Sequence, residues 1–331
     1  MLSGRRRLAS RVALGRSALA CAACLSISLA ILMGLTGRCS AEAMLRIDME
    51  GETALVKRQA VNPRTHVPEE RVYLRQADRD VSTTTDTGTP YSLFVTGIHY
   101  KGAHGLGVRI DRERRPADVN QKSKIEINIS RHDDDALDRK YHGYYILRNG
   151  MPHYLGFAFL MDRELYETPS KWLLHFQVWQ CCTDAQPPLA LQVLPQRLAS
   201  ESVRFVLMKR TDQYLDRKPT SDNGERVPFL DGKSYIDLEK GQWHQFIFMM
   251  RPLPAEVKPA SAPTIAMWVD GRMVLQHFGI WGYSLQSERN LRNGYAVKIG
   301  VYRAAQNTMQ QFYFDTIRWG NSFSSVNPDQ P

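Results

Sequence analysis

The residues best placed to do chemistry stand on one run near the C-terminal end, Tyr295-Ala-Val-Lys298-Ile-Gly300-Val-Tyr302-Arg303. It alternates with period two, so it reads as a β-strand whose successive side chains point to opposite sides. Val297, Ile299 and Val301 make an apolar face suited to a core. Lys298, Gly300 and Tyr302 make the other: an ammonium, a gap without a side chain, and a phenol. A phenol ordinarily titrates near ~10 and nearby cations favour its ionised form, so Lys298 and the adjacent Arg303 could lower that of Tyr302. Glycine weakens a strand interior unless another backbone or a ligand must come close, and a groove that takes a polymer would supply that reason. A plainer reading stays open, with Tyr302 packed as a strand aromatic and Lys298 solvated.

Two more strand-like runs carry suitable groups. Lys124, Glu126 and Asn128 share one face of Lys124-Ile-Glu126-Ile-Asn128, and His175, Gln177 and Trp179 share one face of an extended Trp172–Gln180 run. The alternatives are a salt bridge for the lysine and glutamate, a core position for Trp179 and a structural role for His175. His142, in Lys140-Tyr141-His142-Gly143, offers a second imidazole, and Arg109 a further cation.

These runs need a scaffold. The chain has 331 residues, and its first 43 read as a secretory signal: five arginines precede the apolar run Ala18–Leu35, and Ala41-Glu42-Ala43 closes it. An uncleaved anchor is the rival, because the apolar run is near spanning length. Removal leaves 37 basic and 33 acidic residues, a net +4, which suits an acidic polymer and not a nucleic-acid-type polycation. Of five cysteines only the adjacent Cys181-Cys182 would remain, so disulfides do not hold the fold. The remaining 288 residues read as many short strands separated by Gly, Pro and Asp-Gly turns, with little helical periodicity. The expectation is one all-β domain over residues 44–331, a concanavalin-like two-sheet sandwich or jelly roll with a concave groove. Within it, Lys57–Pro90 reads as an irregular surface excursion, Asp270-Gly271 as a hairpin turn, and Gly294–Gly320 as an antiparallel pair of strands.

Five motifs fall in a recognisable order: Lys124-Ile-Glu126-Ile-Asn128, Phe176-Gln177-Val178-Trp179, Gly241-Gln-Trp243-His244, Met267-Trp268-Val269-Asp270-Gly271 and Lys298-Ile-Gly300-Val-Tyr302-Arg303. The chain resembles the jelly-roll polysaccharide lyases of the heparin-lyase and glucuronan-lyase type, with alginate lyases as more distant relatives. The resemblance implies β-elimination: the C5 proton of a uronic acid is removed and the O4 glycosidic oxygen expelled. A group must neutralise the carboxylate, a base must take the proton and an acid must protonate O4. It implies Tyr302 as acid, with the base role open to it as well, Lys298 as a substrate-binding cation, and Gln177 beside the carboxylate. The chain departs from the pattern where relatives have Gln-x-His, since Trp179 replaces the histidine. His175 or His142 would then supply the imidazole, and Trp179 would stack on a sugar ring. It departs again where relatives have Arg-x-Glu. Lys124 lacks the planar guanidinium fork, Glu126 would orient it, and Asn128 would touch substrate.

Other chemistries fit poorly. Asn128 stands where a laminarinase-type glycosidase strand needs its central acid. His132 with Asp133, Asp134 and Asp135 reads as a solvated turn, and no P-loop, dinucleotide fingerprint or spaced Cys/His cluster occurs. The expected protein is therefore a secreted or periplasmic monomer acting on an acidic polysaccharide, with no nucleic-acid partner, no membrane association after signal cleavage and no obligatory cofactor. Whether Ca²⁺ steadies a loop is open. A lyase-like module that binds acidic polysaccharide without cutting it is the alternative, and an inert sandwich a third reading.

Overall fold

The computed structural model describes residues 44–50, 54–61, 68–75, 80–86, 91–113, 122–130, 146–180, 185–195, 200–215, 223–255, 257, 261–284 and 294–330. The expected signal, His142 and Cys181-Cys182 lie outside the described residues. The strands are, in chain order, β1 Leu45–Ile47, β2 Ala54–Val61, β3 Pro68–Arg75, β4 Asp80–Asp86, β5 Tyr91–Thr96 and β6 Gly105–Ile110. There follow β7 Lys122–Ser130, β8 His153–Met161, β9 Leu173–Gln180, β10 Leu189–Val193, β11 Ser202–Lys209 and β12 Glu225–Arg226. The last six are β13 Ile236–Glu239, β14 Trp243–Met250, β15 Ile265–Val269, β16 Arg272–His277, β17 Tyr295–Ala304 and β18 Gln310–Gly320, before a short helix α1, Phe323–Val326.

They form two antiparallel sheets. The smaller runs β16-β15-β14-β8-β18-β6-β5 with β1 beside β18, and the larger runs β12-β11-β10-β9-β17-β7-β4-β3-β2 with β13 beside β11. The expected all-β jelly-roll sandwich is what the structure shows. Its core is where the apolar halves of alternating strands meet. Ile125, Ile127, Phe176, Val178, Ile299 and Val301 of the larger sheet share one buried cluster with Phe157, Phe159, Phe246, Phe248, Phe312 and Phe314 of the smaller. Phe176 stacks on Phe248 at 4.4 Å between ring centroids. Full burial of one such side chain contributes roughly 1.5–3 kcal/mol. These contacts fix which face of β7, β9 and β17 points inward, and so which polar residues are left on the other side.

The Asp270-Gly271 hairpin joins β15 to β16 as expected, with both residues in the left-handed region at φ 50° and 74°. Two expectations fail. The Lys57–Pro90 segment contains most of β2 together with β3 and β4, which extend the larger sheet beyond β7. Its strands are mostly polar or charged and place Leu74 and Val81 in the core, so alternation was too weak to show them; charge is also what edge strands use to resist stray pairing. The Gly294–Gly320 segment does give two strands, but β17 pairs with β7 and β9 while β18 pairs with β8 and β6. The interval between them crosses from one sheet to the other because both strands have apolar faces to bury, and they do so by facing one core from opposite sides.

Candidate active site

β17 lies between β7 and β9, so its outward side chains are flanked on both sides. Lys298 stands opposite Asn128 of β7 and Gln177 of β9, Gly300 opposite Glu126, and Tyr302 opposite Lys124 and Leu174. This register brings Lys124, Glu126, Asn128, Gln177, Lys298 and Tyr302 together on the face turned away from the core, with Trp179 at one end.

The glycine at the centre is required by backbone and not by a ligand. Gly300 has φ 139°, and a Cβ there would lie 2.1 Å from the carbonyl oxygen of Ile125 and 2.9 Å from Cα of Glu126. The missing side chain has a second effect. Glu126 and Gln177 belong to strands on opposite sides of β17, and the Gln177 amide donates to Glu126 Oε1 across it. Glu126 is buried, and its other oxygen, Oε2, makes no hydrogen bond but lies 3.9 Å from Lys298 Nζ. Burial pushes the Glu126 carboxyl above the ordinary range, against the opposing pull of the Lys298 ammonium, the Gln177 amide and Lys124. The Lys298 side chain is 17% exposed, and its ammonium sits 5.7 Å from the centre of the Trp179 ring, a cation–π arrangement. At the other end Trp172 meets Tyr302 edge-on at 5.1 Å between ring centroids, and Lys122 Nζ lies 5.9 Å from the Tyr302 ring centre. Tyr302 is half-buried, not in the core.

His175 does not join this face. β9 carries a bulge at this residue: Phe176 and Leu174 pair with the consecutive residues Leu191 and Gln192 of β10, leaving His175 with no opposite number. The extra residue turns the imidazole inward among Phe159, Phe205 and Phe312. Its Nδ1 lies 2.8 Å from the Gly300 carbonyl oxygen, which can only accept, so Nδ1 carries the hydrogen and Nε2 accepts from the Tyr166 hydroxyl at 2.6 Å. Burial holds its pKa down at about 4. Arg303 is also misplaced by the sequence reading. It is fully buried, donates to the carbonyls of Thr308 at 2.5 Å and Asp111 at 2.6 Å, also binds Gln310, and so ties the β17–β18 crossing instead of meeting a ligand. Arg109 lies on β6 in the other sheet, paired with Asp111 at 2.8 Å, and adds nothing to this face. Sequence reasoning missed Trp172 and Leu174, because strict alternation from Gln177 puts even-numbered residues on the core side. The bulge reverses that parity, and no residue type at the bulge announces it.

The comparison with known families is decisive on class. The family described as Polysaccharide lyase matches residues 78–318, most of the chain. The chain belongs to the polysaccharide lyase family. Among solved structures, this lyase is similar to the endo-β-1,4-glucuronan lyase of the fungus Trichoderma reesei, at 14% identity over 75% of this chain and 94% of that one, TM-score 0.48. It is also similar to the cellulose induced protein Cip1, at 12% identity over 73% and 91%, TM-score 0.41. Alginate lyase AlyC3 is similar at 14% identity over 65% and 74%, TM-score 0.38. A search of curated proteins finds no match. Family membership supports lyase action on a polysaccharide, and no helix among the described residues is long and apolar enough to cross a membrane.

Proposed function

We propose that this lyase cleaves a uronate-containing glycan by β-elimination on the outer face of β7, β9 and β17. The observation that carries the reading is the register that sets Lys298, Gln177 and Tyr302 around one patch the core does not use. Lys298 and Gln177 hold the uronate carboxylate, with Lys124 beside Tyr302 adding positive charge. Carboxylate neutralisation makes the C5 hydrogen acidic. Tyr302, as phenolate, takes that proton; the C5–H electron pair becomes the C4=C5 double bond, the C4–O4 bond breaks, and the phenol returns its proton to O4. Trp179 stacks on a neighbouring sugar ring, and Asn128 contacts it. A glucuronan or an alginate is the substrate class to try first, given the names of the similar structures. The substrate reaches a secreted or periplasmic enzyme, in keeping with the expected signal at residues 1–43.

One observation favours a second reading, a module that binds acidic polysaccharide without cutting it. Trp179 replaces an imidazole, and the histidine of β9 points into the core. Incubation with a panel of polyuronates, following ultraviolet absorbance of the unsaturated product, separates the two. Product formation supports the lyase; retention on immobilised polyuronate without product supports the binding module.

A further inference from the structure

The floor of the site holds a carboxyl group whose surroundings change when a second carboxylate arrives. Glu126 Oε1 is occupied by the Gln177 amide, and Oε2 is sealed from solvent, without a hydrogen bond, 3.9 Å from Lys298 Nζ. In the reaction proposed above, on which this inference rests, the same ammonium receives the uronate carboxylate. One cation then faces two carboxylates, and of the two, the buried one is the costlier to leave charged. Like-charged groups sharing a site do not both stay ionised without penalty.

We propose that Glu126 takes up one proton from solvent when a uronate binds at Lys298, so that substrate recognition by this lyase is proton-linked. The O–H bond formed on the glutamate is matched by the bond broken in the hydronium ion or buffer acid that gives up the proton, and no bond of the glycan changes. The resulting carboxylic acid leaves the ammonium to the substrate and places a neutral donor in a site whose central strands present no imidazole. The charged groups around Glu126 are Lys298 on β17 and Lys124 on its own strand β7, with the Tyr302 phenol further along β17. β9 contributes the neutral Gln177, and β4 sets Thr84 opposite Glu126 and Asp86 opposite Lys124 in the pairing register. His175 lies on the far side of the sheet. The buried carboxyl already holds a proton more tightly than an ordinary glutamate does.

The test is calorimetric titration of the Tyr302→Phe protein, which prevents turnover, with oligoglucuronate, oligomannuronate and oligoguluronate. Pairs of buffers with different ionisation enthalpies are used from about pH 5 to about pH 9. Uptake should approach one proton per bound oligomer over part of this range, with affinity weakening up to roughly tenfold per pH unit over that same part. Uptake should fall close to zero in Glu126→Gln/Tyr302→Phe, which keeps an acceptor for Gln177 and still binds. Binding with no proton uptake at any pH, or uptake undiminished in the Glu126→Gln variant, overturns the proposal while leaving the lyase reading intact. Binding of none of the three oligomers overturns both. Should the double variant fail to fold, the proton count of Tyr302→Phe alone decides.

Discussion

Tyr302 is separated from an inert strand aromatic by one oxygen atom. Replacing it with Phe keeps the ring against Trp172 and removes the hydroxyl proposed as proton carrier, so kcat/KM on a confirmed polyuronate should fall by at least ~100-fold, with unfolding free energy changed by less than about 0.5 kcal/mol. Activity at the parental rate would remove Tyr302 from the mechanism. Gly300 behaves in the opposite way, because its constraint is backbone. Gly300→Ala forces a Cβ onto the Ile125 carbonyl at a φ that side chains avoid, and should cost roughly 3 kcal/mol in denaturant unfolding. Alternation alone made Lys298, Tyr302, Gln177 and Glu126 legible as facing residues. It did not show that Glu126 and Gln177 would join hands over the glycine, because that contact depends on strand order, which no local pattern encodes.

Among elements, β9 explains most of what the sequence hid. One extra residue at His175 inverts the parity of everything before it, bringing Leu174 opposite Tyr302 and the ring of Trp172 edge-on to it while sending the imidazole inward. His175 is thereby committed to structure, satisfying the Gly300 carbonyl and receiving the Tyr166 hydroxyl. His175→Phe should leave both partners unpaired and destabilise by about 2–4 kcal/mol. His153 on β8 is a contrasting case: buried, stacked on Trp319 at 5.2 Å, with neither ring nitrogen hydrogen-bonded. His153→Phe should therefore be neutral or stabilising, and equilibrium unfolding of the two variants side by side checks the pair. Strands β2, β3 and β4 escaped notice for a related reason. Their identity comes from continuing a sheet already begun by β7, and their own residues carry little apolar alternation.

For the whole molecule, acid is the predicted weakness. Burial pushes His153 and His175 down to about 4 from an ordinary 6.5, so the fold favours their neutral rings. That contribution is complete above about pH 6.5, erodes as pH falls, and is gone below about pH 4, a loss of about 3 kcal/mol per ring. Unfolding free energies measured between those limits should show the decline, and His153→Phe should flatten it. The two-sheet plan itself was readable from strand signals and turns, whereas the partners of each strand were not. Pairing matters most at β17, which enters between β7 and β9 although more than a hundred residues of chain separate it from either of them. Until Tyr295 and the residues after it leave the ribosome, β7 and β9 are two bare rims with open hydrogen-bonding groups, and no polysaccharide meets a complete site. A chain stopped before Tyr295 should accordingly be found in aggregates and be inert on every glycan, measured by sedimentation and product absorbance. Latency during synthesis would then need no propeptide: it is written into the order in which the polypeptide emerges.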